Sequence, residues 1–128
     1  MKDLAAAQLV RDYLMPLFPD IYVGAPVDGE NITLPAILID VQSEFLLGSR
    51  VSKGSLTVMV NSLAVPGNKQ SHIALCEEVD NAVRLLKGVS NDTVEIVGLV
   101  ARSVREAPVN QNWSTNVEYI LAFEEKLI

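Results

Sequence analysis

The chain has 128 residues, 49% of them apolar and 20% charged, with a formal net charge of −6 and an isoelectric point near 4.6. That balance excludes a disordered tail and leaves little room beyond one domain, residues 1–128. It also argues against tight nucleic-acid binding, which needs a basic patch to displace phosphate counterions, whereas Lys53, Lys69, Arg84 and Arg102 are scattered.

Residues 2–18 read as a first helix, because Ala6, Val10, Tyr13 and Leu17 recur at helical spacing and Leu9 and Leu14 widen the stripe. Lys2, Asp3, Arg11 and Asp12 interrupt this segment, which therefore does not resemble a secretory signal and leaves the chain in the cytoplasm where it is made. Pro16 and Pro19 end the helix. GAPVDGENITLP then concentrates turn residues and reads as a loop, preceded by a short strand at Ile21 to Val23.

Alternation from Ala36 to Glu44 sets Ile37, Ile39 and Val41 against Leu38, Asp40 and Gln42, the pattern of a half-buried strand. FLLGSRVSKG supplies a connection, and residues 55–63 alternate again, with Leu56, Val58 and Val60 on one face. So short a link favours an antiparallel hairpin. Ser71 is placed to cap a second helix running to Lys87 along the stripe Leu75, Val79, Ala82 and Leu86, with Gly88 as its C-terminal cap. Asp80 and Arg84 are spaced for an i,i+4 ion pair on its polar face.

Residues 94–105 are apolar on both faces over their centre, Ile96, Gly98 and Val100 against Val97, Leu99 and Ala101, which predicts a central strand, and 115–124 alternate Val117, Tyr119, Leu121 and Phe123 against Glu118, Ile120 and Ala122. APVNQNWS joins them as a long hairpin. The expected order is α-(β)-β-β-α-β-β, an α+β two-layer sandwich whose mostly antiparallel sheet carries both helices on one face. The longest apolar runs are far shorter than the ~20 residues of a membrane span.

Reactive groups are sparse. His72 is the single histidine and reads as a surface or boundary residue; Cys76, one turn later, borders the apolar stripe as a small core residue, although the i,i+4 spacing would allow a thiolate pair. Two such ligands do not complete a zinc site. Asp40 and Glu44 share a strand face with Gln42 between them, most simply a solvated face, and no glycine pattern forms a phosphate cradle. N-x-S/T matches at Asn31, Asn91 and Asn112 read as turn residues. No cofactor, metal or catalytic residue is therefore expected. The connecting segments, by contrast, hold Phe45, Leu46 and Leu47 beside Gly48, and Trp113 between Asn112 and Ser114; these side chains either meet other proteins or fold back over the core.

The N-terminal helix, the strands PAILID and GSLTVMV, the helix SHIALCEEVDNAVRLL and the closing pair of long strands resemble the tail terminator proteins of long-tailed bacteriophages, of the lambda minor tail protein U type. These are also called tail completion or tail-to-head joining proteins. The resemblance implies a non-enzymatic virion protein, assembled in the host cytoplasm. Its hexameric ring would cap the tail tube protein, stop polymerisation and join the tail to the head connector or neck protein. Six copies would total about −36, so DNA would pass through the pore without specific binding. Glu77, Glu78, Glu95, Glu118, Glu124 and Glu125 are the candidates for the pore lining. Phe45, Leu46, Leu47, Arg50, Val51, Lys53 and Trp113 are the candidates for protein contacts, with Arg50 and Lys53 facing acidic tube loops. Two alternatives are a neck or head-completion protein of similar fold, and a small oligomeric enzyme or ligand-binding domain with Asp40, Gln42 and Asn61 lining its site.

Overall fold

A computed structural model describes residues 2–25, 35–44, 51–63, 67–109 and 112–126. The elements run α1 (Lys2–Leu14), a 3-10 turn (Met15–Leu17), β1 (Tyr22–Gly24), β2 (Ala36–Glu44), β3 (Val51–Leu63), α2 (Lys69–Arg84), β4 (Val94–Val109) and β5 (Asn112–Glu125). One sheet holds all five strands in the order β1-β2-β3-β5-β4. β1 pairs parallel to β2, and every other neighbouring pair is antiparallel. The α+β sandwich expected from the sequence is the observed architecture.

Both helices bury their apolar stripes on one sheet face, since burying a stripe and a sheet face together is what stabilises each. Ala6, Leu9, Val10 and Leu14 of α1, Val79, Ala82 and Val83 of α2 and Leu86 in the turn after it meet Ile37, Ile39 and Val41, Leu56, Val58 and Val60, and Val117, Tyr119, Leu121 and Phe123 in a single core. Leu17 leaves the predicted stripe and is 54% exposed. The 3-10 turn holding Pro16 tightens the chain after Leu14, which breaks the helical spacing and buries Phe18 instead.

Several boundaries depart from expectation: α2 ends at Arg84 with Leu85 as its cap and not at Lys87, so Gly88, at φ 90°, turns the chain beyond the helix. β3 begins at Val51, four residues earlier than its alternation suggests, and Gly54 sits so close to β2 that a Cβ there would lie 1.9 Å from the Gln42 carbonyl oxygen. α2 begins at Lys69, with Asn68 and not Ser71 at the cap position; the Asn68 side chain donates instead to the Leu63 carbonyl at 2.5 Å. The link between β4 and β5 is cut from eight residues to two, because both strands extend toward the turn. Asn91 does form a turn, accepting from the Thr93 and Val94 amides at 2.8 Å each and donating to the Ala5 carbonyl at 3.2 Å. Asn112 instead opens β5, and Asn31 lies outside the described residues.

The largest departure is β4. Its apolar residues predict a central strand, yet it forms one edge of the sheet and β5 takes the inner position. The chain passes from β3 through α2 to β4 and returns to fill the gap, so β3 and β4 run parallel with β5 between them. Register shifts at Val97 and Arg102 change which residues of β4 face the helices.

Candidate interaction surfaces

Three regions hold the chemistry that the fold leaves available: the two sheet edges, the polar end of α2, and the outer face of the sheet.

At the β4 edge, residues 94–99 are anchored by Val94 and Ile96, both fully buried. Among the described residues, 100–106 leave apolar side chains exposed on both faces: Val100 on the outer face is 63% exposed, and Val104, opposite Val117 on the helix side, is 62% exposed. Ile120 of β5 stands directly across from Val100 and is 47% exposed, so the two form a cross-strand apolar pair in solvent. Arg102, extruded at the second register shift, reaches Glu118 at 3.2 Å, and Arg105 is exposed beyond it. On β1, the opposite edge strand, Tyr22 is exposed on the outer face, and in the chain leading to it Met15 and Leu17 of the 3-10 turn, Pro16, Pro19 and Asp20 are exposed as well.

The polar end of α2 is built on His72, which is 5% exposed and not the surface residue its isolation suggests. Its Nδ1 lies 2.8 Å from Ser62 Oγ and its Nε2 2.9 Å from Thr115 Oγ1, so one ring joins α2 to β3 and β5. Both hydroxyls rotate, and either neutral tautomer satisfies the pair. Burial holds the His72 pKa below its ordinary value, only partly countered by Glu106. Cys76 Sγ lies 3.5 Å from Nε2, but burial pushes the thiol pKa up, the opposite of what an activated nucleophile needs. Cys76 packs against the core, as its place beside the stripe suggests. The signal for this network was in the alternation itself, where Ser62 and Thr115 continue the inward positions of β3 and β5.

Beside His72, a cavity of about 240 Å³ opens between Lys69 and Ile73 of α2 and Glu106, Trp113, Ser114 and Thr115 of the hairpin. Lys69 Nζ stands 5.5 Å from the centre of the Trp113 ring, and Trp113 Nε1 is buried without a hydrogen-bond partner. Farther along α2, Asp80 takes the expected bond from Arg84 at 2.9 Å and a second from the Tyr119 hydroxyl at 2.7 Å. Burial, reinforced by that bond, raises the Tyr119 pKa, and the Asp80 hydrogen bond raises that of Arg84. Among the described residues no three His, Cys, Asp or Glu side chains gather as a metal site.

The acidic candidates divide between layers. Glu95, Glu118 and Glu124 lie on the outer sheet face, with Glu95 directly across from Glu124; Glu125 closes β5 opposite Val94. Glu77 and Glu78 are exposed on α2, in the other layer. Of the contact candidates, Lys53 is exposed on β3, Val51 is half-buried at the start of that strand, and Trp113 lines the cavity. Phe45, Leu46, Leu47 and Arg50 fall outside the described residues. Gln42 donates to Asp40 at 3.3 Å, and Asn61 Oδ1 is buried without a partner on the next strand.

No family model matches the chain, and no curated protein matches it. Solved structures do share its fold. A chain from the virion of a native gene transfer agent particle superposes with a TM-score of 0.63 at 16% identity, over 95% of this chain and 93% of its own length. A second solved chain gives a TM-score of 0.57 at 12% identity, over 98% of this chain and 93% of the other.

Proposed function

We propose that this protein is a non-enzymatic structural component of a phage-like virion, and within that class a tail terminator: a ring, six subunits by family likeness, that caps the tail tube, ends its polymerisation and joins it to the head connector. The observation that carries the reading is the likeness to a virion chain over nearly the full length of both partners. The match spans 95% of this chain and 93% of the virion chain, so the likeness is of the whole fold and not of one motif. The site chemistry agrees: His72 is held neutral between two hydroxyls and Cys76 is held as a thiol, so neither is poised for proton transfer or attack.

Net charge supplies the second support. A ring of subunits at −6 each presents DNA with like charge, and a strand threads such a pore without being held. The candidate carboxylates divide between α2 and the sheet, so the reading requires one of these layers to form the pore wall and the other to look outward.

The test is a length-control assay. The tube subunit of the same particle is polymerised with and without this protein, and the products are imaged by negative stain. Capped tubes of defined length bearing a ring at one end are expected. Uncapped tubes, with the protein free in solution at saturating concentration, would reject the reading.

A further inference from the structure

We infer that the cavity beside His72 binds an N-acylated amino acid with a free carboxylate and an apolar side chain, the chemistry of a small acyl amino acid or of the last residue of a polypeptide. Its floor is the inward face of the sheet at the hairpin end, where Glu106 of β4 stands directly across from Thr115 of β5 and Trp113 lies two residues along on the same face. Its wall is the start of α2, where Lys69 and Ile73 stand one turn apart. His72 lines it too, and because Ser62 and Thr115 fix that ring this part of the wall is rigid.

The lining names the ligand. Lys69 supplies an exposed cation that no carboxylate pairs among the described residues; its ammonium rests over the Trp113 ring instead. The Trp113 indole N–H is buried and unpaired, a costly state, so an acceptor brought within its reach gains what folding leaves unsatisfied. Both groups call for an anionic acceptor. Glu106 sets the opposite requirement: it lines the same cavity without an ion pair to Lys69, repels a plain anion and accepts from an N–H. A carboxylate and an amide N–H on one small body meet both demands. Ile73, 38% exposed, and the Trp113 ring offer apolar surface to the side chain between them. Size limits the choice, since about 240 Å³ falls below the ~300–1,000 Å³ of sites for drug-sized ligands and excludes a dinucleotide.

Trp113 is the chain's one tryptophan, so its fluorescence and its single indole resonance report on this cavity alone. Titration with N-acetyl-leucine should give a saturable change with a Kd on the order of millimolar, as suits so few atoms, and should shift the indole N–H resonance where sodium chloride at equal ionic strength does not. N-acetyl-leucinamide, the same body without the charge, should bind at least ~10-fold more weakly, and 4-methylpentanoate, which keeps the carboxylate and lacks the amide, more weakly as well. Lys69→Gln should erase the preference for acid over amide, and Glu106→Ala the preference for N-acetyl-leucine over 4-methylpentanoate; both positions are exposed, and circular dichroism checks that each variant folds. The proposal is overturned if nothing saturates by ~50 mM, if acid and amide bind alike, or if either variant keeps the preference it should lose. A short peptide ending in leucine separates the two sources: binding at least ~10-fold tighter than N-acetyl-leucine points to a polypeptide terminus, equal binding to a free acyl amino acid. The site does not depend on the tail reading. Tubes capped by a protein blind to N-acetyl-leucine would overturn the site alone, and a protein that binds it but caps no tube would overturn the tail reading alone.

Discussion

The two halves of β4 both carry apolar side chains, four of six residues in 94–99 and three of seven in 100–106, and meet opposite fates. Residues 94–99 lie against the core through Val94 and Ile96, whereas residues 100–106 carry Val100, Ala101 and Val104 into solvent. β5 pairs with both halves, so backbone hydrogen bonding does not distinguish them. What differs is the packing: Val94 and Ile96 belong to the core beneath the helices, whereas Val104, on the same side of the sheet, is left 62% exposed although α2 reaches Glu106 close by. Apolar character in a strand therefore marks a surface to be covered, and the cover can come from the same chain or from another.

The sharpest way to break that comparison is to remove side chains from each half. Ile96→Ala deletes three carbons from a fully buried site and should cost about 2–4 kcal/mol in urea unfolding. Measured on the same monomeric protein, an Ile96→Ala cost below ~1 kcal/mol would mean that the first half is not packed as described.

Next in size is the polar end of α2. His72→Ala leaves the buried Ser62 and Thr115 hydroxyls without their shared partner and should cost about 1–3 kcal/mol. The His72 pKa is lowered on folding, so the unfolded chain binds the proton more readily and this contribution is complete above the unfolded value near 6.5. It is lost as pH falls from there toward the folded pKa. Thermal melts between pH 7.5 and pH 5 should show a fall in stability on acidification that His72→Gln reduces. Identical pH profiles for the two proteins would show that His72 titrates alike folded and unfolded.

These effects bear on how much of the molecule its sequence discloses. Alternation in β2, β3 and β5 names the inward residues correctly because period two is a local property, readable without knowing any neighbour. β4 defeats the same reasoning: strand order is set by long-range pairing, and two apolar faces are compatible with a central strand or with an edge that awaits a partner. His72 is misread for a related reason. Its isolation in the sequence suggests the surface, but its partners lie 10 and 43 residues away on two different strands. Leu17 is lost to a local event, the tightening at Pro16, which shifts the stripe by one residue onto Phe18. The contact candidates divide in the same way: Trp113 is drawn in beside Lys69, whereas the exposed apolar edges escape notice because neither stands in a loop.

A smaller effect comes from the ion pair that fastens the bare half of β4 to its neighbour. Arg102 reaches Glu118 across the strands with both side chains partly in solvent, so Arg102→Ala should cost the monomer less than ~1 kcal/mol, a difference that salt diminishes. A larger, salt-insensitive loss would place this pair in the packed part of the sheet.

The smallest monomer effect is the most informative about the comparison. Val100→Ala removes two methyl groups from a side chain 63% exposed, so dilute monomer should unfold within about 0.5 kcal/mol of the parent. Comparing urea midpoints of the two dilute proteins reads this directly. If they differ by as much as the parent and Ile96→Ala, the side chain is packed within the monomer and the two halves of the strand are alike after all.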